Sequence, residues 1–244
     1  MQGDAMEHFK IMNEISDGNL YQAEDMVNAG AGGCRNCSWC CEDMCDTIFL
    51  DPYDIYVLCK GLEKEYTELI DENYLEIGLH NLISMPHIKD RGNGCGFLTE
   101  NQRCSVHDFR PGICRLFPLG RYYHDDTFSY ILQTRGCRSN VHEEVKIRDW
   151  LGIKDLEKYE EYVLKWHRAV KGISDFMMKP AAPGVKLKIH ERFLKHFYET
   201  PYDLSNNFFP QIYERICEWK LTWKYVKCVN QTEFEQSKEP SPWQ

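Results

Sequence analysis

The chain has 244 residues, a formal net charge of -9 and an apolar content of 43%. That is enough for one large or two small domains with an ordinary core, so covalent staples are not required. The acidic balance excludes a general phosphate-backbone binder, and no stretch approaches the roughly 18 apolar residues that a membrane span needs.

In chain order, residues 4–29 read as helical. Met6, Phe9, Met12 and Ile15 recur at helical spacing, and Leu20, Ala23 and Val27 follow after Gly18. Met1 to Lys10 carries acids and no long apolar run, so no signal peptide is expected. Gly30-Ala31-Gly32-Gly33 is not a dinucleotide fingerprint, because no apolar strand precedes it and no helix clearly opens from it. Asp51-Pro52 reads as an N-cap and first helical position, and Ile55, Leu58, Leu62 and Leu69 predict two helical pieces split near Gly61. Cys59, between apolar neighbours, reads as a buried thiol.

Residues 95–106 predict a short hairpin over Thr99-Glu100-Asn101-Gln102, and residues 121–132 a second one over His124-Asp125-Asp126. From about residue 141 helices are expected at 143–151, 155–172, 186–199 and 206–228, with a break from Met177 to Gly184 and a frayed end from Gln231. Trp150, Trp166, Trp219 and Trp223 read as aromatic core, and Cys217 and Cys228 as buried thiols. His190 and His196 are six residues apart and do not share a helix face. Neither the Glu-x-x-His spacing of carboxylate di-iron bundles nor a local Ser-His-Asp signature is present. The fold class expected is α+β, mostly helical: an irregular cysteine-rich layer with short antiparallel hairpins, flanked by helices. Residues 1–140 would form the cysteine-cluster part and residues 141–244 a helical region. That boundary is soft, and the two can form one compact unit.

Twelve cysteines are distributed very unevenly. Cys34, Cys37, Cys40, Cys41 and Cys45 crowd together, and Cys95, Cys104, Cys114 and Cys137 follow at longer intervals. Thiolates at two-residue gaps converge when the backbone turns, and soft metals prefer them. With no leader visible, a cytoplasmic address is expected; there thiols stay reduced and clustered cysteines read as ligands. Cys40 and Cys41 are neighbours whose side chains should diverge, which hints at two sites back to back or a spare thiol. The bacterial ferredoxin run fails by one residue, since four residues separate Cys40 from Cys45. The radical-enzyme spacing fails at Met44. Arg110 and Arg115 flank Cys114 and would offset the negative charge of a thiolate-bound metal or cluster, as cofactor-binding residues.

Cys34-x2-Cys37-x2-Cys40-Cys41, Cys95-Gly96-Phe97-Leu98, Cys104, Arg110-Pro111-x2-Cys114-Arg115-x-Phe117-Pro118 and Cys137 together resemble the YkgJ-type cysteine-cluster proteins, a zinc- or iron-chelating family. The resemblance covers roughly residues 30–140. It implies eight family-type cysteines, with Cys45 additional and His107 open as an imidazole ligand. Three functions are compatible: an iron-sulfur protein with a four-iron cluster (4Fe-4S) for electron transfer or redox-dependent modification, a zinc-bound structural or interaction module, and a cluster-bearing protein methyltransferase. The expected partner is an unidentified protein or redox partner, with neither nucleic acid nor membrane.

Overall fold

The computed structural model describes residues 14–30, 37–43, 47–92, 94–134, 137, 143–182 and 184–236. It is α+β and mostly helical, as expected, with three two-stranded antiparallel sheets among the described residues.

The first strand, β1 (Met26–Gly30), lies where a helix was expected. Asp17 accepts from the Asn19 amide, Gly18 adopts φ 82°, and the chain turns there instead of continuing. Val27 and Ala29 are buried while Met26 and Asn28 face outward, a period of two that also contains helix-like spacings. The expected helix over residues 4–13 and the stretch 31–36 lie outside the described residues. Strand β1 pairs with a strand much later in the chain, Glu143–Lys146, so the helix expected over 143–151 shortens to Ile147–Leu151.

A short helix α1 (Trp39–Asp43) precedes α2 (Pro52–Leu62), which starts as read from the sequence. Asp51 caps it: its side chain accepts from Asp54 N at 3.0 Å, and Asp54 accepts from Asp51 N at 3.1 Å. It ends at Glu63 in the left-handed region, and α3 (Tyr66–Asp71) follows, so the two pieces split near Gly61 as expected. Gly61 has another purpose. A Cβ there would stand 2.3 Å from the Phe109 ring, so its bareness lets the 107–110 turn lie directly on α2.

The hairpin of β2 (Leu75–His80) and β3 (Ile83–Ile88) was not foreseen. Its two-residue turn is Asn81-Leu82, both at positive φ as a type I′ turn requires, but without the usual glycine. Residues 95–106 form only isolated bridges, Asp90 with Cys95 and Leu98 with Cys104, rather than a full hairpin. After the turn comes α4 (Gly112–Leu116), then the expected second hairpin of β4 (Leu119–His124) and β5 (Thr127–Leu132), turning through Asp125. The sixth strand, β6 (Glu143–Lys146), leads into α5 (Ile147–Leu151).

The C-terminal helices are α6 (Leu156–Met177), α7 (Val185–Leu194) and α8 (Phe208–Gln236). Between α7 and α8, Lys195–Glu199 forms a π-helical turn. Its wider i→i+5 geometry, marked by Thr200 N donating to Lys195 O, lets Phe193, Phe197 and Tyr198 all reach the interior. There Trp166 meets Phe197 edge-on at 5.0 Å and Tyr162 meets Phe208 edge-on at 5.2 Å. Trp166 and Trp219 are core residues, as expected. His190 receives the Ser84 amide on Nδ1 and His196 donates to Arg215 O, so both have structural partners. Tyr198 donates to Leu50 O and Tyr56 to Asn206 O, tying this helical layer to the segments before and within α2. The buried apolar residues form one cluster running from Val27 to Trp219. No described helix is long and apolar enough to cross a membrane.

Two glycines in helices should respond oppositely to alanine. Gly61→Ala drives a methyl into Phe109 and is expected to cost about 1–3 kcal/mol. Gly172→Ala, in α6 with nothing within 4 Å of the new Cβ, should stabilise by about 0.5–1 kcal/mol. Urea denaturation of the two variants reads both signs.

Candidate metal centre

The turn that carries Cys95 is bound to the helix that carries Cys40 and Cys41. Cys95 N donates to Cys41 O at 2.7 Å. The approach is close enough that a Cβ on Gly94 would stand 2.7 Å from that same carbonyl, and Gly94 holds φ 94°. The chain then loops back: Thr99 N donates to Arg103 O and Ser105 N to Phe97 O, which brings Cys104 beside the Cys95 turn. Phe97, fully buried, stacks on Tyr74 at 5.0 Å and anchors the loop.

Cys114 is placed by different means. Gly112, at the start of α4, donates its amide to the buried Asp54 carboxylate at 2.6 Å. A Cβ on Gly112 would lie 2.0 Å from the Tyr159 hydroxyl, so glycine alone allows α4 to seat against α6. Arg115 donates Nε to Arg110 O at 3.1 Å and Nη2 to Asp108 O at 2.6 Å. It braces the turn that presents Arg110 and is not itself among the residues lining the cavity.

These placements assemble one cavity of about 130 Å³, lined by Cys37, Cys40, Cys41, Cys95, Cys104 and Cys114. Its apolar wall includes Ile48, Phe97 and Phe117, and Arg110, His107 and Trp150 also face it. Of the other expected ligands, Cys34 and Cys45 lie outside the described residues. Cys137 borders a neighbouring cavity with Asn28 and Pro118, and Gln133 lines both spaces. The nine described cysteines carry no disulfide. Cys59 is buried away from the cavity, as expected, whereas Cys217 is exposed on α8 rather than buried. The side chain of Cys228 lies outside the described residues.

The adjacent pair departs from expectation. Cys40 and Cys41 line the same cavity, and their thiols hydrogen-bond to each other. On a helix, neighbours diverge by about a third of a turn rather than facing opposite ways, so both can reach one space. The Cys41 bond, aided by the Arg110 charge, lowers the Cys40 thiol to about 7. Cys41 is pushed up correspondingly by that bond and by burial. Burial raises Cys104, and raises Cys114 well above the usual thiol range.

Among the described residues no three His, Cys, Asp or Glu side chains stand close enough to hold an ion between them. The six thiols stand around a space rather than on a point. Two buried donors in the wall lack a hydrogen-bond partner: Arg110 Nε and Trp150 Nε1. Buried N–H groups are rarely left unpaired, so these donors fit a cavity whose occupant accepts hydrogen bonds. A thiolate-bound metal group, with electron-rich sulfur, has that character. Trp150 was read from the sequence as plain core; its position one turn into the helix after β6, opposite distant cysteines, is a tertiary fact without a local signal. His107 lines the cavity too, and its Nε2 contacts Arg110 Nη1.

In metal-free protein the depressed Cys40 thiol should alkylate first. Its rate should climb as pH rises through about 7, where the thiolate forms, while Cys114 stays unreacted in the folded state. Mass spectrometry after timed iodoacetamide treatment resolves the two sites.

No curated protein and no solved structure matches the chain. A family model does. Residues 33–138, a little under half of the chain, match CxxCxxCC, described as "Putative zinc- or iron-chelating domain", which supports metal binding.

Proposed function

We propose that the thiol cavity holds a polynuclear iron-sulfur cluster of the four-iron type and that the protein serves electron transfer or redox-dependent modification of a substrate. The observation that carries this reading is the space itself. A lone zinc ion draws four sulfurs to about 2.3 Å and leaves no room between them. Here six thiols surround about 130 Å³, where roughly 10–15 Å³ suffices for one water. Cys37, Cys40, Cys41, Cys95, Cys104 and Cys114 are the candidate ligands that line the cavity, and Cys34, Cys45 and Cys137 remain candidates from the sequence.

A bound cluster would supply one-electron exchange. The chain's own residues set its surroundings. Arg110 and Trp150 would donate hydrogen bonds to sulfur and favour the more reduced, more negative state, while Ile48, Phe97 and Phe117 limit water access. Arg115 acts through the 108–110 turn, holding Arg110 in place. Ile113, 42% exposed, puts the cavity wall at the surface, where a redox partner can approach.

A zinc-bound structural module is the second reading, favoured by the family description, which names zinc beside iron. It would need two compact four-thiolate sites, and so would draw Cys34, Cys45 and Cys137 into the ligand set.

Anaerobic purification with elemental and acid-labile sulfide analysis separates the readings. The proposal expects a brown protein with iron and sulfide in equal amounts; a colourless protein with about two zinc ions contradicts it. Cys37→Ser should lose metal and Cys217→Ser should keep it. Arg110→Gln should retain iron but shift the midpoint potential to more negative values, since a positive donor has been removed.

A further inference from the structure

Ile113 also borders a second cavity, of about 340 Å³, which no cysteine lines among the described residues. Phe49, Met85, Val163 and Trp166 give it apolar walls, and its size and a few convergent polar groups are those of a small-molecule site. No feature of the metal reading uses it.

Among the described residues, Arg121 is the only arginine or lysine that lines this space. Its guanidinium donates from Nη2 to the Tyr159 hydroxyl at 3.2 Å and lies over the Tyr159 ring at 5.6 Å. It also bonds to the Tyr123 hydroxyl. Its Nε is buried and has no hydrogen-bond partner. A charged, buried donor left unpaired is a costly arrangement unless something completes it.

The two carboxylates in the wall, Asp51 and Asp54, do not complete it. Their oxygens are taken by the amides of Asp54, Asp51 and Gly112 and by the Tyr162 hydroxyl. Burial also raises both, Asp54 well above the usual carboxylate range, against the pull of the Arg121 charge. His80 and His167, the remaining titratable bases there, are held below their ordinary value by burial and so are neutral near pH 7. His167 lies flat on Tyr123 at 3.6 Å, which extends the aromatic wall.

We propose that this cavity binds a small free organic acid, with its carboxylate on the Arg121 guanidinium and its apolar body against Trp166 and Val163. Guanidinium presents a planar fork of donors that matches a carboxylate, and the unpaired Nε belongs to that fork. The site stands independently of what the thiols hold.

The test uses the whole protein, purified anaerobically with its metal, and three probes of one shape: phenylacetate, phenylacetamide and phenethylamine. Binding is read by calorimetry and by intrinsic tryptophan fluorescence. Saturable binding of phenylacetate is expected, with the amide and the amine at least about tenfold weaker, because the fork is then left unpaired. Arg121→Gln should abolish the preference for the acid. Arg121→Lys keeps the charge and loses the fork, and should weaken phenylacetate by about tenfold; it carries the test if the glutamine variant does not fold. Equal binding of acid and amide, preference for the amine, or no binding of any probe to folded wild-type protein would each overturn the proposal.

Discussion

The carboxylate of Asp54 joins α2 to the helix that carries Cys114. It closes the cap of α2 on one side and takes the Gly112 amide on the other, so the helix bearing Cys114 is held at a fixed place on the helical layer. The neighbour on the far side is Tyr159 from α6, close enough to Gly112 to forbid any side chain there. Burying a carboxylate without partners would be prohibitive, and here each of its bonds is also a positional constraint. Around that point, thiols are presented by backbone that is otherwise irregular. The Cys95 turn hangs on Cys41 O, the Cys104 arm on Phe97, and the Arg110 turn on the bare face of Gly61. Rigid helices therefore hold a loop-built site open, and the thiols do not collapse onto one another.

Electrostatics follow from that geometry. Six thiols face one space with a single arginine among its described lining residues, so removing every proton without compensation would concentrate negative charge at low dielectric. The protein's answer is uneven. Cys40 is lowered by its neighbour and by Arg110, while Cys41, Cys104 and Cys114 are raised. A cation must enter to bring them all to the thiolate state, which couples metal capture to proton release.

Much of the site was legible because thiol clustering is a local, compositional signal. Cys37, Cys40 and Cys41 of the crowded run line one cavity with Arg110 and Cys114 of the Arg110–Pro118 motif, and the cap at Asp51-Pro52 marked its helix correctly. What was hidden depended on distant partners. Strand β1 alternates Val27 and Ala29 inward, yet its identity as a strand depends on Glu143–Lys146, more than a hundred residues away. The Asn81-Leu82 turn lacks the glycine that announces a hairpin. Gly61 marks the split between α2 and α3 to within two residues, but its other role, giving room to Phe109, is invisible without the fold. Trp150 and Arg121 read as core and strand residues, and only their unpaired buried nitrogens identify them as cavity groups.

The central claim is that reduced sulfurs from α1, the Cys95–Cys104 loop and α4 enclose an inorganic cluster. Anomalous diffraction from anaerobically grown crystals, recorded on both sides of the iron and zinc absorption edges, locates and identifies the metal directly. The account predicts an iron signal inside the cavity, bonded to sulfurs among Cys37, Cys40, Cys41, Cys95, Cys104 and Cys114. A metal signal elsewhere with this cavity empty, or those cysteines joined as disulfides, would contradict it.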